Sequence, residues 1–233
     1  VLPAGLDASE WKGRTIRFGD NAEVHEVSHA ARGESWDVTA DVGGKSISFG
    51  LTPGAPHRLH NALAALASIH AAGLDAAALA PALHDVGIMT GRGVEQAVAG
   101  ITLIDDSFNG NPASMVAAID SLKARPLANG RRIAILGDML ELGDEAPSYH
   151  TALARHLDGI DAVYCVGPLM HHLHSLLPKH RSLGWHEDPA TLDPRKVASL
   201  LRSGDVVVVK GSKKMFWVNK FVPGLVAALQ SKA

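Results

Sequence analysis

The chain has 233 residues, of which 46% are hydrophobic and 20% are charged, and its formal net charge is −2 at pH 7. These values are typical of a globular protein and argue against disorder, and the near-neutral charge gives no reason to expect a nucleic-acid or anionic-membrane surface. A single cysteine, Cys165, excludes a framework of internal disulfides.

The first part of the chain is predicted to form short strands. Apolar residues alternate within residues 15–51, which is typical of half-buried strands. The pair Gly43-Gly44 separates two alternating runs and predicts a tight β-hairpin. Gly44-Lys45-Ser46 resembles the end of a phosphate-binding loop, but Thr39 stands where that motif needs a glycine. We therefore interpret the segment as a hairpin turn.

Two helices are predicted next. The alanine-rich residues 57–72 predict a helix that ends at Gly73, and Asp75 is expected to cap a second helix over residues 76–86. His57 and Asn61 are four positions apart in the first helix, so their side chains share a face. An asparagine amide can bind the edge of a heterocycle, but the spacing equally allows a polar face packed against protein.

From about residue 93 the pattern changes to repeated strands, loops and helices. Helices are predicted over residues 113–123, 148–157, 169–177, 194–204 and 214–229, and the apolar runs predict strands at residues 101–104, 133–136, 162–166 and 206–209. This alternation predicts an α/β fold with a mostly parallel sheet covered on both faces. The glycine-rich residues 89–95 are expected to link the two parts of the chain.

Polar residues follow these strands, at the edge of the sheet where open α/β folds bind ligands. Asp105-Asp106 follows the first strand and Asp138 the second, and paired aspartates suit ribose hydroxyls or a magnesium-bound phosphate. Lys210 comes directly after four valines, so burying it would require an anionic partner. Arg92 allows a bidentate phosphate contact, although a lone arginine between glycines is more often a surface residue.

Four histidines raise the question of a metal site. The residues are His171, His172, His174 and His180. Adjacent histidines on a helix diverge, and no acidic residue stands at ligand spacing, so we interpret them as a solvated helical face. We predict no metal site in this chain.

Several segments of the chain together resemble one protein family. In order they are Gly54…His57-Arg58-Leu59-His60-Asn61, Gly91-Arg92, Asp105-Asp106-Ser107-Phe108-Asn109-Gly110-Asn111-Pro112, Leu136-Gly137-Asp138-Met139-Leu140-Glu141-Leu142-Gly143, His150 and Lys210-Gly211-Ser212. Together they resemble the Mur ligases of peptidoglycan synthesis. The sequence departs from the family pattern at Phe108, where a tyrosine is common, and in residues 213–219.

The resemblance implies an ATP-dependent amide ligase that adds D-alanyl-D-alanine to UDP-N-acetylmuramoyl-tripeptide through an acyl phosphate, with ATP and Mg²⁺. It implies that residues 1–92 are the C-terminal part of the central ATP-binding domain and that residues 93–233 are the C-terminal Rossmann-like domain. The family's phosphate loop and magnesium ligands would precede Val1. We therefore expect a fragment of a longer protein, inactive alone and without catalytic residues of its own.

The motifs also imply roles for particular residues. The resemblance assigns nucleotide binding to His57, Asn61, Arg92 and Asp106. It assigns the cleft for the acceptor dipeptide to Asn109, Asn111, Asp138, Lys210 and Ser212. Because no apolar run reaches about 18 residues, we further expect a soluble cytoplasmic protein that neither binds nucleic acid nor inserts into membranes.

Other classes of protein remain open at this point. A sister Mur ligase or a folylpolyglutamate synthetase would add a different amino acid. A cofactor-binding oxidoreductase is disfavoured because Gly87, Gly91 and Gly93 do not have the spacing of the dinucleotide fingerprint. A non-catalytic interaction module is the third alternative. The oligomeric state is not predicted.

Overall fold

The computed structural model describes residues 1–32, 35–52, 57–86, 89–127 and 129–232, and only the backbone of His57. Gly54 and Gly87, which belong to the first motif and to the predicted end of the second helix, lie outside the described residues. The chain forms two compact units, Val1–Ile88 and Met89–Ala233. The division falls at the start of the predicted glycine-rich linker, and the assignment of the units to particular domains stays a prediction.

The first unit contains a mixed five-stranded sheet. In spatial order its strands are β1 (Leu2–Pro3), β2 (Arg17–Phe18), β3 (Val24–Arg32), β4 (Ser35–Val42) and β5 (Lys45–Leu51). Strands β4 and β5 pair antiparallel, and φ is +60° at Gly43 and +84° at Gly44 between them. Two consecutive positive φ angles suit a glycine-rich hairpin turn, so the predicted hairpin is confirmed.

One long helix covers this sheet. Helix α1 (His57–Ala71) places Leu63, Leu66 and Ala67 in the apolar core of the unit, and Gly73, with φ of +73°, follows its end as predicted. The prediction of a second helix over residues 76–86 is mostly wrong. Asp75 caps α2 (Ala76–Leu79) as expected, but this helix ends at Leu79 and a 3-10 turn follows it. Pro81 has no N–H group with which to continue the α-helix.

The second unit contains a six-stranded sheet within the described residues. Its strands are β6 (Val94–Val98), β7 (Ile101–Asp106), β8 (Arg132–Gly137), β9 (Ala162–Val166), β10 (Ser182–His186) and β11 (Val206–Lys210), and their spatial order is β10-β9-β8-β11-β7-β6. All neighbours pair in parallel except β6, which is antiparallel to β7. The predicted α/β fold with a mostly parallel sheet is therefore confirmed.

Helices cover both faces of the second sheet. They are α3 (Pro112–Ala124), α4 (Ala146–Ala152), α5 (Met170–His174), α6 (Pro194–Leu200) and α7 (Phe221–Gln230). Side chains of α6 and α7 pack with Leu103, Ile135 and Val209 on one face, and those of α3 and α5 pack with Ile104 and Leu136 on the other. Alternate residues of each strand thus enter different cores.

The last helix begins later than predicted. Residues 213–220 form turns, and α7 begins at Phe221 rather than at Lys214. Lys220 has a φ of +51°, and this left-handed conformation separates the turns from the helix. The segment 213–220 therefore belongs to the loop that follows β11.

Cys165 lies in the middle of the second sheet. It is fully buried in β9, and burial raises the pKa of its thiol to about 12. The thiol is therefore protonated and inaccessible in the folded chain. Separately, each helix in the described ranges is too short or too polar to traverse a lipid bilayer.

A buried carboxylate joins two loops at the amino-terminal edge of the second sheet. Asp205, immediately before β11, is fully buried. Its oxygens accept hydrogen bonds from the Arg131 guanidinium at 2.7 and 3.1 Å and from the backbone N–H groups of Arg131 and Arg202 at 3.1 and 2.9 Å. This network links the residues that immediately precede β8 and β11.

Replacement of Asp205 by alanine is expected to lower the free energy of unfolding by about 3 kcal/mol, because it leaves the Arg131 charge and buried N–H groups without their acceptor. Urea titration followed by circular dichroism measures the change. Asp158→Ala is the control, because Asp158 is exposed and 3.7 Å from Arg181, and such pairs contribute less than about 1 kcal/mol. Equal losses in the two variants would contradict a structural role for the Asp205 network.

Candidate functional site

The loops that follow β7, β8 and β11 meet at the carboxyl edge of the second sheet. Lys210, the last residue of β11, is in register with Asp106 on β7 and with Leu136 on β8. Asp138 follows β8 by one residue, and its N–H group donates to Val166 at the end of β9. The sequence correctly predicted that Asp106, Asp138 and Lys210 lie at one edge.

Lys210 and Asp106 form an ion pair at this edge. The Lys210 Nζ atom lies 2.7 Å from Asp106 Oδ2 and also donates to the carbonyl oxygen of Asn109 at 3.1 Å. The side chain of Lys210 is 4% exposed, whereas that of Asp106 is 22% exposed. The anionic partner expected for Lys210 is therefore supplied by the protein itself, and Asp106 is the member of the pair that solvent reaches.

Asp138 connects the loops after β8 and β9. It is 1% exposed, and its carboxylate accepts hydrogen bonds from the backbone N–H groups of Leu169 at 3.1 Å and Met170 at 2.7 Å. Burial raises the pKa of Asp138, and these two hydrogen bonds oppose the rise. The contacts make Asp138 a positioning residue for α5, and its assignment to an acceptor cleft stays a prediction.

Ser212 connects the loops after β8 and β11. Its hydroxyl oxygen accepts a hydrogen bond from the N–H group of Leu140 at 2.8 Å, and its own N–H group donates to the carbonyl oxygen of Asp138 at 2.8 Å. Ser212 is 4% exposed. Its described contacts are therefore within the protein, and its place in the acceptor cleft also stays a prediction.

Three glycines let these loops approach one another closely. A Cβ atom on Gly211 would lie 2.8 Å from the Cα atom of Gly137, and one on Gly110 would lie 3.0 Å from the carbonyl carbon of Gly211. Side chains at these positions would push the loops apart. The absence of a Cβ atom thus allows the backbones after β7, β8 and β11 to pack directly together.

The two asparagines after β7 have different environments. Asn111 caps α3, with its Oδ1 atom 2.8 Å from the N–H group of Ser114 and its own N–H group donating to Ser114 Oγ at 3.0 Å, and its assignment to the acceptor cleft stays a prediction. Asn109 is exposed, and its Oδ1 atom accepts from Gly110 at 3.0 Å. Asn109 therefore presents its side chain at the surface of the loop that contacts Lys210.

The remaining predicted nucleotide-binding residues lie in both units. Arg92 belongs to the second unit and is exposed, with its guanidinium carbon 4.3 Å from the centre of the Phe108 ring. His57 and Asn61 belong to α1 of the first unit. Asn61 is exposed, whereas the His57 side chain lies outside the described residues. Their assignments to nucleotide stay predictions.

His150 belongs to the segments that resemble the family, but the sequence alone indicates no role for it. It is fully buried on α4. Its Nε2 atom accepts from the Met139 N–H group at 2.9 Å, so its Nδ1 atom must carry the proton that it donates to the Ala146 carbonyl at 2.6 Å. Burial lowers the pKa of His150. The ring is thus neutral, and its hydrogen bond with the Met139 N–H group connects the loop after β8 to α4.

The histidines in and around α5 are partly exposed and partly packed against an aromatic ring. Within the described parts of the chain, no three His, Cys, Asp or Glu side chains are placed to hold a metal ion. His171 and His172 are exposed, as the solvated-face interpretation requires, while His171 and His174 also pack around Trp185 with ring centres 4.6 and 6.3 Å away. Sequence spacing gave no indication of this aromatic contact.

Comparison with known proteins identifies similar proteins in one family. Residues 89–213 match the family model described as Mur ligase, glutamate ligase domain. The UDP-N-acetylmuramoyl-tripeptide--D-alanyl-D-alanine ligase of Escherichia coli (strain K12) is 30% identical over 210 residues, which cover 84% of this chain and 44% of that protein. The ligase of the same name from Rickettsia prowazekii is 30% identical over 159 residues, covering 67% of this chain and 35% of that protein.

A solved structure shares the fold. The crystal structure of MurF ligase from Thermotoga maritima in complex with ADP aligns with a TM-score of 0.72 and 21% identity, covering 94% of this chain and 49% of that one. The chain therefore spans less than half the length of these relatives.

The buried His150 predicts a pH dependence of stability. Its folded pKa is lowered, so as the pH falls through about 6.5 the unfolded state binds a proton that the folded state excludes, and the free energy of unfolding decreases. His150→Gln, which keeps an acceptor for the Met139 N–H group, is expected to lose less stability than the wild type between about pH 7.5 and pH 5.5. Urea titrations at each pH measure the difference, and identical slopes would contradict the prediction.

Proposed function

Because the chain belongs to the Mur ligase family, we propose that it is the C-terminal part of an ATP-dependent ligase that adds D-alanyl-D-alanine to UDP-N-acetylmuramoyl-tripeptide in peptidoglycan precursor synthesis. The relatives in Escherichia coli and Rickettsia prowazekii that bear this name support the proposal. The observation that carries it is the Lys210–Asp106 pair, in which two of the family motifs meet at the carboxyl edge of the sheet, where open α/β folds bind ligands.

The proposed reaction forms one amide bond. ATP transfers its terminal phosphoryl group to the carboxylate of the tripeptide, and the amine of the dipeptide attacks the resulting acyl phosphate. The C–N bond forms as the C–O bond to phosphate breaks, the amine loses a proton, and inorganic phosphate leaves. Water must be kept from the acyl phosphate until the amine arrives.

The described residues suit a part in positioning the substrates. Asp106 is partly exposed beside the buried Lys210, whose ammonium group orients the carboxylate, and we propose that it accepts hydrogen bonds from the ribose hydroxyls. We propose that Arg92 contacts phosphate, and that Asn109 contacts the acceptor dipeptide. In the first unit, we propose that the exposed Asn61 presents its amide to adenine, with His57 nearby on the same helix.

The described residues show no cluster that would hold Mg²⁺ by protein side chains alone. They contain no suitably placed group of three histidine, cysteine or carboxylate side chains, and Asp106 faces an ammonium group. We therefore assign no step to Mg²⁺ through these residues. We also propose a cytoplasmic location and a requirement for the family's other domains, so that the 233 residues alone turn over no ATP.

The acceptor specificity is the direct test of the proposed function. The complete ligase polypeptide, with its upstream domains, is expected to release phosphate from ATP only when UDP-N-acetylmuramoyl-tripeptide and D-alanyl-D-alanine are both present. D-Glutamate and meso-diaminopimelate are the alternative acceptors. Phosphate release with either of these instead of the dipeptide would assign the chain to a sister ligase, and release by the 233 residues alone would contradict the requirement for other domains.

Asp106→Asn tests the role proposed for this carboxylate. In the complete ligase we expect a rise in the KM for ATP of about tenfold, since a charge-assisted hydrogen bond contributes about 1.5–3 kcal/mol and an amide retains part of it. Steady-state phosphate release at saturating dipeptide measures the effect. Asp120→Asn is the control, because Asp120 is an exposed carboxylate on α3 paired with Lys123. A change in the dipeptide KM alone would instead place Asp106 in the acceptor cleft.

A further inference from the structure

Two asparagines of the chain are each followed by a glycine. The pairs are Asn109-Gly110 and Asn129-Gly130. At such a pair the backbone nitrogen of the glycine can attack the side-chain amide carbon of the asparagine, because no Cβ atom obstructs the approach. The attack forms a cyclic succinimide. It requires an N–H group at the following residue, so Asn111, which precedes Pro112, cannot react in this way.

The first pair has a geometry that favours this attack. The Gly110 nitrogen lies 3.0 Å from Asn109 Oδ1, and the carbon that it would attack is bonded directly to that oxygen. The nucleophile and its target are therefore close together in the folded chain, which lowers the entropy cost of the reaction. Asn109 is exposed, so ammonia can leave and water can reach the succinimide.

A buried ammonium group contacts the peptide group that contains this nitrogen. Lys210 Nζ donates to the carbonyl oxygen of Asn109 at 3.1 Å, and this carbonyl and the Gly110 nitrogen belong to one conjugated amide. When the nitrogen loses its proton, part of the negative charge moves to the carbonyl oxygen. The Lys210 side chain is 4% exposed, so its ammonium group stabilises this charge with little screening by water.

The ion pair with Asp106 does not remove this contact. An ammonium group has three N–H donors, and Lys210 Nζ donates to Asp106 at 2.7 Å and to the Asn109 carbonyl oxygen at 3.1 Å in the same arrangement. Asp106 is the more exposed member of the pair, so water screens its charge more than that of Lys210. The Asn109 carbonyl oxygen therefore keeps a direct hydrogen bond from a cation.

The second pair has a different environment. Asn129 is also exposed, and Gly130 packs against the backbone of Gly204. A Cβ atom on Gly204 would lie 1.9 Å from the Asn129 carbonyl oxygen, so this oxygen faces backbone atoms. The neighbouring Arg131 and Arg132 direct their guanidinium groups to other acceptors. The chain thus contains a matched pair without the cation that Lys210 supplies to the first.

We propose that Asn109 is a site of spontaneous deamidation and that the ammonium group of Lys210 promotes the reaction. The Gly110 nitrogen loses its proton and forms a bond to the side-chain amide carbon of Asn109, while the bond from that carbon to the side-chain nitrogen breaks and ammonia leaves. Water then opens the succinimide at either carbonyl and gives aspartate or isoaspartate. One water molecule is consumed for each ammonia released, and nothing is oxidised or reduced.

Both products change the loop after β7. Aspartate adds a negative charge beside the Lys210–Asp106 pair. Isoaspartate adds a methylene group to the backbone before Gly110, where space is short, because a Cβ atom on Gly110 would lie only 3.0 Å from the carbonyl carbon of Gly211. The reaction itself needs only the chain and water, so the inference does not rest on the proposed function.

Lys210→Met tests the part assigned to the ammonium group. Methionine is apolar and flexible, so it suits the buried position, and we expect the deamidation rate of Asn109 to fall to that of Asn129 in the same variant. Circular dichroism establishes whether the variant is folded. An unchanged Asn109 rate in the folded variant would overturn the role of Lys210.

Incubation of the 233-residue chain at neutral pH provides a test that needs no variant. Peptide mass spectrometry of the folded chain is expected to show deamidation of Asn109 about tenfold faster than that of Asn129, the effect of one charge-assisted hydrogen bond, with Asn111 unchanged. In the urea-unfolded chain both pairs lose their surroundings, and the two rates should become equal. Equal rates in the folded chain, or a ratio that urea does not change, would overturn the proposal even if Lys210→Met does not fold.

Discussion

The ammonium group of Lys210 ends a strand of four valines and lies in an interior where an unpaired charge would be strongly destabilising. Asp106, which is in register with Lys210 on the neighbouring strand β7, supplies the opposite charge. Because the pair joins β11 to the end of β7, it sets where the loops after both strands begin. The pairing thereby fixes the backbone that carries the exposed Asn109 and the partly exposed Asp106.

Around the pair, the loops are held by contacts that leave little room for rearrangement. Asp138 and Ser212 use their buried polar atoms within the protein, and Gly137 and Gly211 touch backbone to backbone. A site built in this way is organised before a ligand arrives, which lowers the entropy cost of binding.

The sequence predicted the central strands of the second sheet well, because burial on both faces requires continuous apolar runs such as Val206–Lys210. It missed β6 and β10, whose polar residues suit positions at the sheet edges. Among the site residues, Asp106 and Lys210 were identified by their positions at the ends of predicted strands. The sequence also predicted that a buried Lys210 requires an anionic partner. The pairing of Lys210 with Asp106 depends on the strand register, which sequence spacing does not reveal. The neutral form of His150 depends on tertiary contacts, which spacing does not reveal either.

Because Cys165 is buried, the reactivity of its thiol reports on the unfolding of the chain. The thiol lies on β9, between β8 and β10, and its raised pKa leaves almost no thiolate in the folded state. An alkylating reagent in solution can attack this sulfur only after the parallel sheet has opened. Since no second cysteine competes, the rate of modification measures how often the middle of that sheet becomes accessible to solvent.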